Sequence, residues 1–124
     1  MYNEVIFSKL TTCIEHIEAI EKYFKAAQNA EHFFTLNDGA LYDAVLMRLQ
    51  ALGENFKRIS QKHSFVIDDL AYPEILNVIR FRDYVSHHYE QLEHEVVFDI
   101  CYLKIPLLKE CISSLLKKNY NNPS

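Results

Sequence analysis

The first 24 residues carry apolar side chains at helical spacing. Their positions alternate in steps of four and three, which places them on one face of an α-helix and leaves a polar face opposite. Only two glycines and three prolines occur in 124 residues. Because sandwiches and barrels need many tight turns, this scarcity favours a few long helices over a β-fold. The apolar stripe of the first predicted helix is Ile6, Leu10, Cys13, Ile17, Ile20 and Phe24.

A second helix is predicted for residues 39–61. Asn37 or Asp38 is expected to be its N-cap, because a short polar side chain can accept a hydrogen bond from an unpaired helical N–H. Gly53 lies inside this helix, and a glycine at such a position indicates close approach of another backbone. Residues 62–72 are predicted to form a loop, with at most a short turn of helix. The apolar stripe of the second helix is Tyr42, Val45, Leu46, Leu49, Leu52, Phe56 and Ile59.

Two further helices complete the predicted fold. Pro73 suits the first turn of the third helix, since its missing N–H would be unpaired there, and this helix should end near residues 89–92. The fourth should span residues 93–118 and bend or break at Pro106. Residues 119–124 are expected to fray. Together the helices indicate an all-α, antiparallel bundle of four to five helices, and the very apolar first helix suggests a homodimer.

The composition is that of an ordinary globular protein. It is 49% hydrophobic and 24% charged, and the length fits one domain, residues 1–124. The formal net charge of -4 disfavours a protein that coats nucleic acid, because phosphate binding depends on Lys and Arg. It leaves room for a small, locally basic pocket that engages RNA at one place.

The cysteines and the hydropathy of the chain indicate the cellular compartment in which the protein acts. The number of cysteines, three, is odd, and no two of them have C-x-x-C spacing. Both features are typical of buried free thiols in a reducing cytoplasm. No secretory signal is visible, and the most apolar stretch, residues 96–116, is too interrupted by charges to cross a bilayer. We therefore expect a cytoplasmic protein that does not act at a membrane. The cysteines are Cys13, Cys101 and Cys111.

Residues 82–89 concentrate side chains that can do chemistry. The segment reads Arg-Asp-Tyr-Val-Ser-His-His-Tyr at the end of the third helix. At 100° per residue, Arg82 and His87 lie about 140° apart on a continuous helix and cannot easily reach one atom. Either the helix ends or bends within the stretch, or a second copy of the chain completes the site. Asp83 lies four residues before His87 and could orient its imidazole.

An arginine and a histidine can cleave RNA without a metal. The imidazole exchanges protons near neutral pH, and the guanidinium stays charged and binds phosphate. A base would remove the proton of the 2′-hydroxyl, an acid would protonate the leaving 5′-oxygen, and the cation would stabilise the phosphorane. DNA lacks the 2′-hydroxyl and should not be cut. The alternative is a solvated helix face without activity, which is the commoner role of such residues.

Zinc binding is the other chemistry that the histidines suggest. His87 and His94 are seven residues apart, which is not a typical ligand spacing, and no cysteine is near them in sequence. We expect neither a metal nor another cofactor. Glu54 belongs to a small charged face of the second helix, which is either simply exposed or flanks the RNA-binding cleft.

The segment also resembles a known family. Arg82, four residues, His87, one residue and Tyr89 are similar to the R-x4-H-x-Y signature of HepT-like ribonuclease toxins, which belong to the HEPN superfamily. The similarity covers most of the chain. Three flanking features also resemble the family: Leu52-Gly53-Glu54-Asn55 matches its "GE" segment, and Pro73 and Ile105-Pro106-Leu107-Leu108 lie where the family has them.

The resemblance implies a fold, an activity and a partner. The fold would be a homodimeric HEPN-like bundle whose motif helices line a shared cleft. The activity would be that of a metal-independent endoribonuclease toxin of a type VII-like toxin–antitoxin pair, with Arg82 and His87 as the catalytic pair. The partner would be an MntA-type minimal nucleotidyltransferase antitoxin, in a complex of two or more chains, that transfers AMP to Tyr89. That nucleotide would add bulk and negative charge where RNA must bind, and would occupy Arg82.

The chain departs from the family pattern at three positions. Asp83 stands where the family often has Asn, so it either weakens phosphate binding or supports His87. Ser86 stands where an apolar residue is common, and the stretch around it resembles a sister group of HEPN proteins that are non-toxic binding subunits of nucleotidyltransferases. A non-catalytic binding subunit is therefore the alternative function. His88 creates a second possible motif, R-x5-H, so the sequence leaves open which imidazole acts.

Overall fold

The computed structural model describes residues 2–119, and over that range the chain is all-helical, as predicted. The long helices α1 and α3 pack together, α5 packs on α3, and α7 packs on α1. Three short helices connect the long ones. The seven helices are α1 (Glu4–Phe24), α2 (Ala30–Thr35), α3 (Ala40–Lys62), α4 (Ser64–Leu70), α5 (Ile75–His88), α6 (His94–Asp99) and α7 (Ile105–Lys118).

The helices α1 and α3 are antiparallel. Near the start of α1, the Lys9 carbonyl accepts a hydrogen bond from Asn55 Nδ2 at 2.9 Å, close to the end of α3. Further along α1, His16 Nδ1 lies 3.1 Å from Arg48 Nη1, which is earlier in α3. Residue numbers therefore rise along one helix as they fall along the other, as expected for an up-and-down bundle.

The predicted apolar stripes form the core. All seven stripe residues of α3 are buried, and so are five of the six in α1, with Phe24 partly buried against them. A buried side chain of this size contributes roughly 1.5–3 kcal/mol through removal from water. At the start of α1, Asn3 Oδ1 accepts a hydrogen bond from Ile6 N at 3.0 Å and fixes where the helix begins.

The N-cap prediction for α3 was wrong. Asn37 and Asp38 both have left-handed backbone conformations, with φ of 54° and 57°, inside a 3₁₀ turn at Leu36–Gly39. The residue at the cap position is Gly39, with φ of 87° and no side-chain bond. An N-cap side chain needs extended backbone, whereas Asn and Asp also tolerate the left-handed region. Here Asn37 and Asp38 adopt the left-handed backbone of the turn and do not cap α3.

Two short helices lie on either side of α3. Asn29 Oδ1 accepts a hydrogen bond from His32 N at 2.8 Å and starts α2. Helix α4 runs for seven residues through the predicted loop, buries Val66 and Leu70, and ends at Ala71, which has φ of 52°. Both helices are too short to show a full apolar period in sequence, so tertiary packing decides their formation.

Gly53 marks the closest approach of α5 to α3, as predicted. A Cβ atom built on Gly53 would lie 2.7 Å from the carbonyl oxygen of Val78 and 3.3 Å from Cβ of Arg82. Because such distances are shorter than van der Waals contact, only glycine lets the two helices cross here. The crossing fixes the position of α5, which carries the motif.

Pro73 and Pro106 both lie close to helix starts. The bend or break predicted at Pro106 corresponds to an interruption of the α-helical pattern: α6 passes into a π-helical segment, Ile100–Lys104, and Pro106 occupies the first turn of α7, where a missing N–H costs little. Pro73 lies before α5 rather than in its first turn, because the first helical residue is Ile75.

Other predictions concern the tail and the cysteines. Asn119 Nδ2 donates to the Leu115 carbonyl at 3.0 Å, and the rest of the tail expected to fray, residues 120–124, lies outside the described residues. All three cysteines are free, and burial raises the pKa of Cys13 and of Cys101 to about 12. Within residues 2–119, no helix has the length and apolar character needed to cross a bilayer.

Candidate active site

The motif lies at the carboxyl end of α5. The helix is continuous from Ile75 to His88, and Tyr89 then begins a 3₁₀ turn that ends at Gln91. Val85 is buried beneath the motif. The remaining motif side chains reach solvent: Arg82 is partly exposed, and Asp83, His87, His88 and Tyr89 are exposed.

Arg82 is held by two carboxylates. Its Nε lies 3.1 Å from Glu54 Oε2 on α3, and its Nη1 donates to Asp83 Oδ1 at 3.0 Å. The Glu54 oxygen is shielded from solvent but is not aligned for a hydrogen bond, so its attraction to Arg82 is mainly electrostatic. The Arg82 and Glu54 side chains are 40% and 32% exposed, so each pairing is worth at most about 1 kcal/mol. The two carboxylates thus hold Nε and Nη1 of the guanidinium and leave the rest of the group free.

Glu54 reaches Arg82 because its neighbour has no side chain. The Gly53 crossing brings the two backbones together one residue away from Glu54. Glu54 also lies 3.4 Å from Arg58 Nε, four residues along the same helix. The structure therefore brings this sequence-predicted residue to the motif, whereas Arg58 points along the exposed side of α3.

Asp83 contacts Arg82 and not His87. The sequence spacing allowed either partner, and the carboxylate bonds to the guanidinium. An arginine is always charged, whereas an imidazole is charged only when protonated, so the arginine is the stronger partner at neutral pH. The idea that Asp83 orients His87 was wrong.

The two histidines differ in their contacts. His88 Nδ1 lies 3.2 Å from the Tyr84 carbonyl, to which it donates, and its ring stacks on that of Tyr84 at 4.8 Å with an interplanar angle of 17°. His87 only approaches the edge of the His88 ring, at 6.5 Å. Among residues 2–119, no side chain forms a hydrogen bond or an ion pair with His87. Both imidazoles are exposed, and His87 is the one whose ring nitrogens have no partner among the described residues.

Arg82 and His87 diverge within one chain. Because α5 does not end or bend between them, they lie about 140° apart around the helix. His87 shares an outward face of α5 with Leu76, Arg80 and Asp83, all of which are exposed, whereas Arg82 faces α3. The helical break that could have brought the two side chains together is absent from α5.

Tyr89 contacts a residue that sequence reasoning missed. Its phenolic oxygen donates a short hydrogen bond to Asp43 Oδ1 in the first turn of α3, 46 residues earlier. This bond, with a smaller effect of burial, raises the pKa of Tyr89 above its ordinary value. The sequence carried no signal for this contact, because it depends on the antiparallel register of α3 and α5.

The Tyr89–Asp43 contact borders an open groove of about 530 Å³. The Tyr42 side chain is 5% exposed, its hydroxyl has no hydrogen-bond partner within the described part of the chain, and burial raises its pKa to about 12. No lysine or arginine among residues 2–119 lines the groove. Its lining residues are Phe34, Thr35, Asp38, Gly39, Tyr42, Asp43, Tyr89, Glu90 and Leu92.

The histidines considered for zinc do not converge. The His94 ring stacks on Phe34 at 4.4 Å, and its Nε2 lies 3.5 Å from Glu31 Oε2, on the α2–α6 side of the molecule. Within residues 2–119, no group of three or more His, Cys, Asp and Glu side chains is arranged to hold a metal ion.

Comparison with known proteins identifies the family. A sequence model of the family described as "Ribonuclease HepT-like" matches residues 13–115, a span that includes Asp43, Glu54 and the whole motif. Neither the curated proteins nor the solved structures gave a significant match. The match covers most of the chain and confirms the resemblance that the motif indicates. The chain belongs to the HepT-like ribonuclease family, within the HEPN superfamily.

Proposed function

We propose that this protein is a metal-independent endoribonuclease toxin of a type VII-like toxin–antitoxin pair. In this proposal Arg82 and His87 cleave RNA in a cleft between two copies of the chain. Family membership supports action on RNA. The accessible imidazole of His87 and the half-exposed guanidinium of Arg82 supply the groups that the reaction needs.

The observation that carries the proposal is the continuity of α5 through the motif. One chain cannot aim Arg82 and His87 at the same phosphate, because they diverge around the helix. A two-fold axis beside α5 would bring two Arg/His sets to one groove. Leu76 and Tyr84, which are 55% and 47% exposed on α5, offer apolar surface for such an interface.

The chemistry follows from these groups. Neutral His87 takes the proton of the 2′-hydroxyl, whose oxygen then attacks the adjacent phosphorus. The bond from phosphorus to the 5′-oxygen breaks, and the same imidazole, now protonated, returns its proton to that oxygen. Arg82 binds the phosphoryl oxygens and stabilises their added charge. Glu54 keeps Arg82 in place by holding Nε, while Nη2 remains available to the substrate.

Control by AMP transfer is the second part of the proposal. Tyr89 is 51% exposed and lies directly after the motif helix, so a partner enzyme can reach its hydroxyl. An MntA-type minimal nucleotidyltransferase would transfer AMP to it from ATP. The attached nucleotide would add a negative charge and a large group beside the RNA path, and cleavage would stop.

One observation favours a second function, that of a non-catalytic binding subunit of such a nucleotidyltransferase. Arg82 lies against both Glu54 and Asp83, so its positive charge is balanced twice before any phosphate arrives. A guanidinium balanced in this way attracts an RNA phosphate less strongly. This function predicts a stable complex with the transferase, no RNA cleavage, and no growth arrest when the chain is expressed alone.

The two functions are separated by assaying purified, unmodified protein on RNA in EDTA. We expect cleavage that is lost in His87→Ala and in Arg82→Ala, with unchanged circular dichroism spectra, and no cleavage of a DNA oligonucleotide of the same sequence. His88→Ala tests the alternative motif, and His63→Ala, at the junction of α3 and α4, is the control for loss of a histidine. Intact RNA after exposure to the unmodified protein would favour the binding subunit.

A further inference from the structure

Asp43 and Tyr89 form a contact that the proposed ribonuclease chemistry does not use. The Tyr89 hydroxyl donates to Asp43 Oδ1 across 46 residues of sequence. Both side chains are exposed, so the contact does not stabilise a buried core. It places a carboxylate against the phenolic oxygen that would accept AMP.

A phenol needs help to act as a nucleophile at neutral pH. Its ordinary pKa is near 10, and the bond to Asp43 raises the pKa of Tyr89 further, so the group stays protonated. The proton must leave as the oxygen attacks phosphorus, and the acceptor must lie within hydrogen-bond distance of it. Within residues 2–119, Asp43 is the side chain in that position.

We propose that Asp43 is the general base for AMP transfer to Tyr89, an inference that rests on the function proposed above. Tyr89 Oη forms a bond to the α-phosphorus of ATP as the bond from that phosphorus to the bridging oxygen breaks. Pyrophosphate leaves, and the phenolic proton moves to Asp43 Oδ1. Asp43 is exposed, so it then returns the proton to water.

The product removes the contact from which the step starts. The phosphodiester on Tyr89 is an anion and has no phenolic proton, so the bond to Asp43 cannot re-form. The groove around it is acidic, with no cationic side chain within the described residues, and it disfavours the new negative charge. The groups that face the pair are Asp38 from the turn before α3, Tyr42 from α3 and Glu90 from the 3₁₀ turn.

The test measures the rate of AMP transfer to the whole chain by an MntA-type nucleotidyltransferase, with ATP labelled at its α-phosphate. Asp43→Asn keeps an oxygen that can accept the phenolic hydrogen bond but is not a base, and Asp43→Ala removes both properties. We expect both variants to lose about 100-fold or more in kcat, with KM for the chain little changed. Asp68→Asn removes the same charge from an exposed position of α4, outside the groove, and should keep the wild-type rate.

The pH profile separates a base from a residue that only positions Tyr89. In Asp43→Asn the reaction must proceed through the phenolate, so its rate should rise about tenfold per pH unit below the pKa of the phenol. The ratio of wild-type to variant rates should therefore fall as the pH rises, and the pH dependence of the transferase itself cancels in that ratio. A wild-type rate and profile in Asp43→Asn would overturn the inference, as would a defect confined to Asp43→Ala.

Failure of the proposed function has a different signature. If the wild-type chain takes no label, or if Tyr89→Phe is labelled as well as the wild type, Tyr89 is not the acceptor and both proposals fall. If the wild type is labelled at Tyr89 while Asp43→Asn is labelled equally fast, only the role of Asp43 is refuted.

Discussion

At the scale of single residues, the site combines a cation that is restrained with an imidazole that is accessible. Arg82 is paired with Glu54 and Asp83, whereas His87 has no such partner among the described residues. The carboxylate of Asp83 bonds directly to the Arg82 guanidinium and offsets its positive charge. Its effect on phosphate binding can be measured directly.

Asp83→Asn should strengthen RNA binding. Removing one carboxylate frees Nη1 of Arg82 for phosphate, and an exposed ion pair of this kind is worth about 0.2–1 kcal/mol, which corresponds to an up to about fivefold lower KM for an RNA oligonucleotide. Asp68→Asn removes an exposed acid from α4 and serves as the control. A higher KM in Asp83→Asn would show that Asp83 assists the substrate.

Tyr89 should titrate above the ordinary tyrosine range. Its pKa is raised mainly by the bond to Asp43, so the bond is intact below the unfolded pKa of 10.0 and is lost as the pH rises through the folded pKa. NMR of ring-labelled tyrosine should show this titration, and Asp43→Ala should move it down towards 10. An unchanged titration in the variant would mean that the contact does not form in solution.

Tyr42→Phe should leave the protein as stable as the wild type or more stable. The Tyr42 hydroxyl is buried without a partner within residues 2–119, and deleting such a group removes its desolvation cost of about 1–3 kcal/mol. The matched change is Tyr2→Phe, because the Tyr2 hydroxyl donates to Asp69 Oδ2 at 2.7 Å and its loss should cost about 1 kcal/mol. Urea denaturation of both variants gives the comparison, and a destabilised Tyr42→Phe would reveal an unrecognised partner.

At the scale of helices, periodicity predicted the long elements and local chemistry did not predict the short ones. The stripes of α1 and α3 were predictable because a buried helix face must repeat every three or four residues. The left-handed turn at Asn37 and Asp38 was not, since the same residues are also good N-caps. The contact between Asp43 and Tyr89 was beyond sequence reasoning for a different reason: only the packing of α5 on α3 brings the two residues together.

Gly53→Ala should separate α5 from α3. The added Cβ would lie 2.7 Å from a backbone oxygen, which cannot move without moving the helix. Overpacking of this kind costs about 1–3 kcal/mol, which outweighs the roughly 1 kcal/mol that alanine gains over glycine within a helix. The free energy of unfolding should fall. RNA cleavage should fall with it, because moving α5 away from α3 separates Arg82 from Glu54.

The control for this substitution is Ser113→Ala on the exposed side of α7. It also introduces alanine into a helix but at an exposed position, so the stability of the variant should stay within about 0.5 kcal/mol of the wild type. Equal stability of Gly53→Ala and the wild type would show that the two helices can move apart without cost.

At the scale of the whole molecule, the proposed site needs two copies. If each catalytic set draws Arg82 from one copy and His87 from the other, a mixture of Arg82→Ala and His87→Ala chains contains heterodimers with one intact set. After unfolding and refolding together, the mixture should recover about a quarter of wild-type RNA cleavage, because half of the dimers are mixed and each has one working set. No recovery from the mixture would mean that each copy works alone.

The proposed interface on α5 can be tested without touching the motif. Leu76→Asp places a charge on the outward face of α5, and sedimentation should then show a monomer that cleaves no RNA. Met47→Asp introduces the same charge at a 70% exposed position of α3 and should leave the dimer intact. A Leu76→Asp chain that stays dimeric would place the interface elsewhere.

The antiparallel crossing of α3 and α5 also sets how far apart cleavage and control can act. Glu54 and Asp43, which hold Arg82 and Tyr89, are eleven positions apart on α3, or about 16 Å along its axis. At physiological ionic strength, exposed charges are largely screened beyond about 8 Å. Arg82 and Tyr89 are themselves seven residues apart, or about 10 Å along a helix, so under the proposed control an adenylate on Tyr89 would act by blocking the incoming strand or by folding back along α5 towards Arg82.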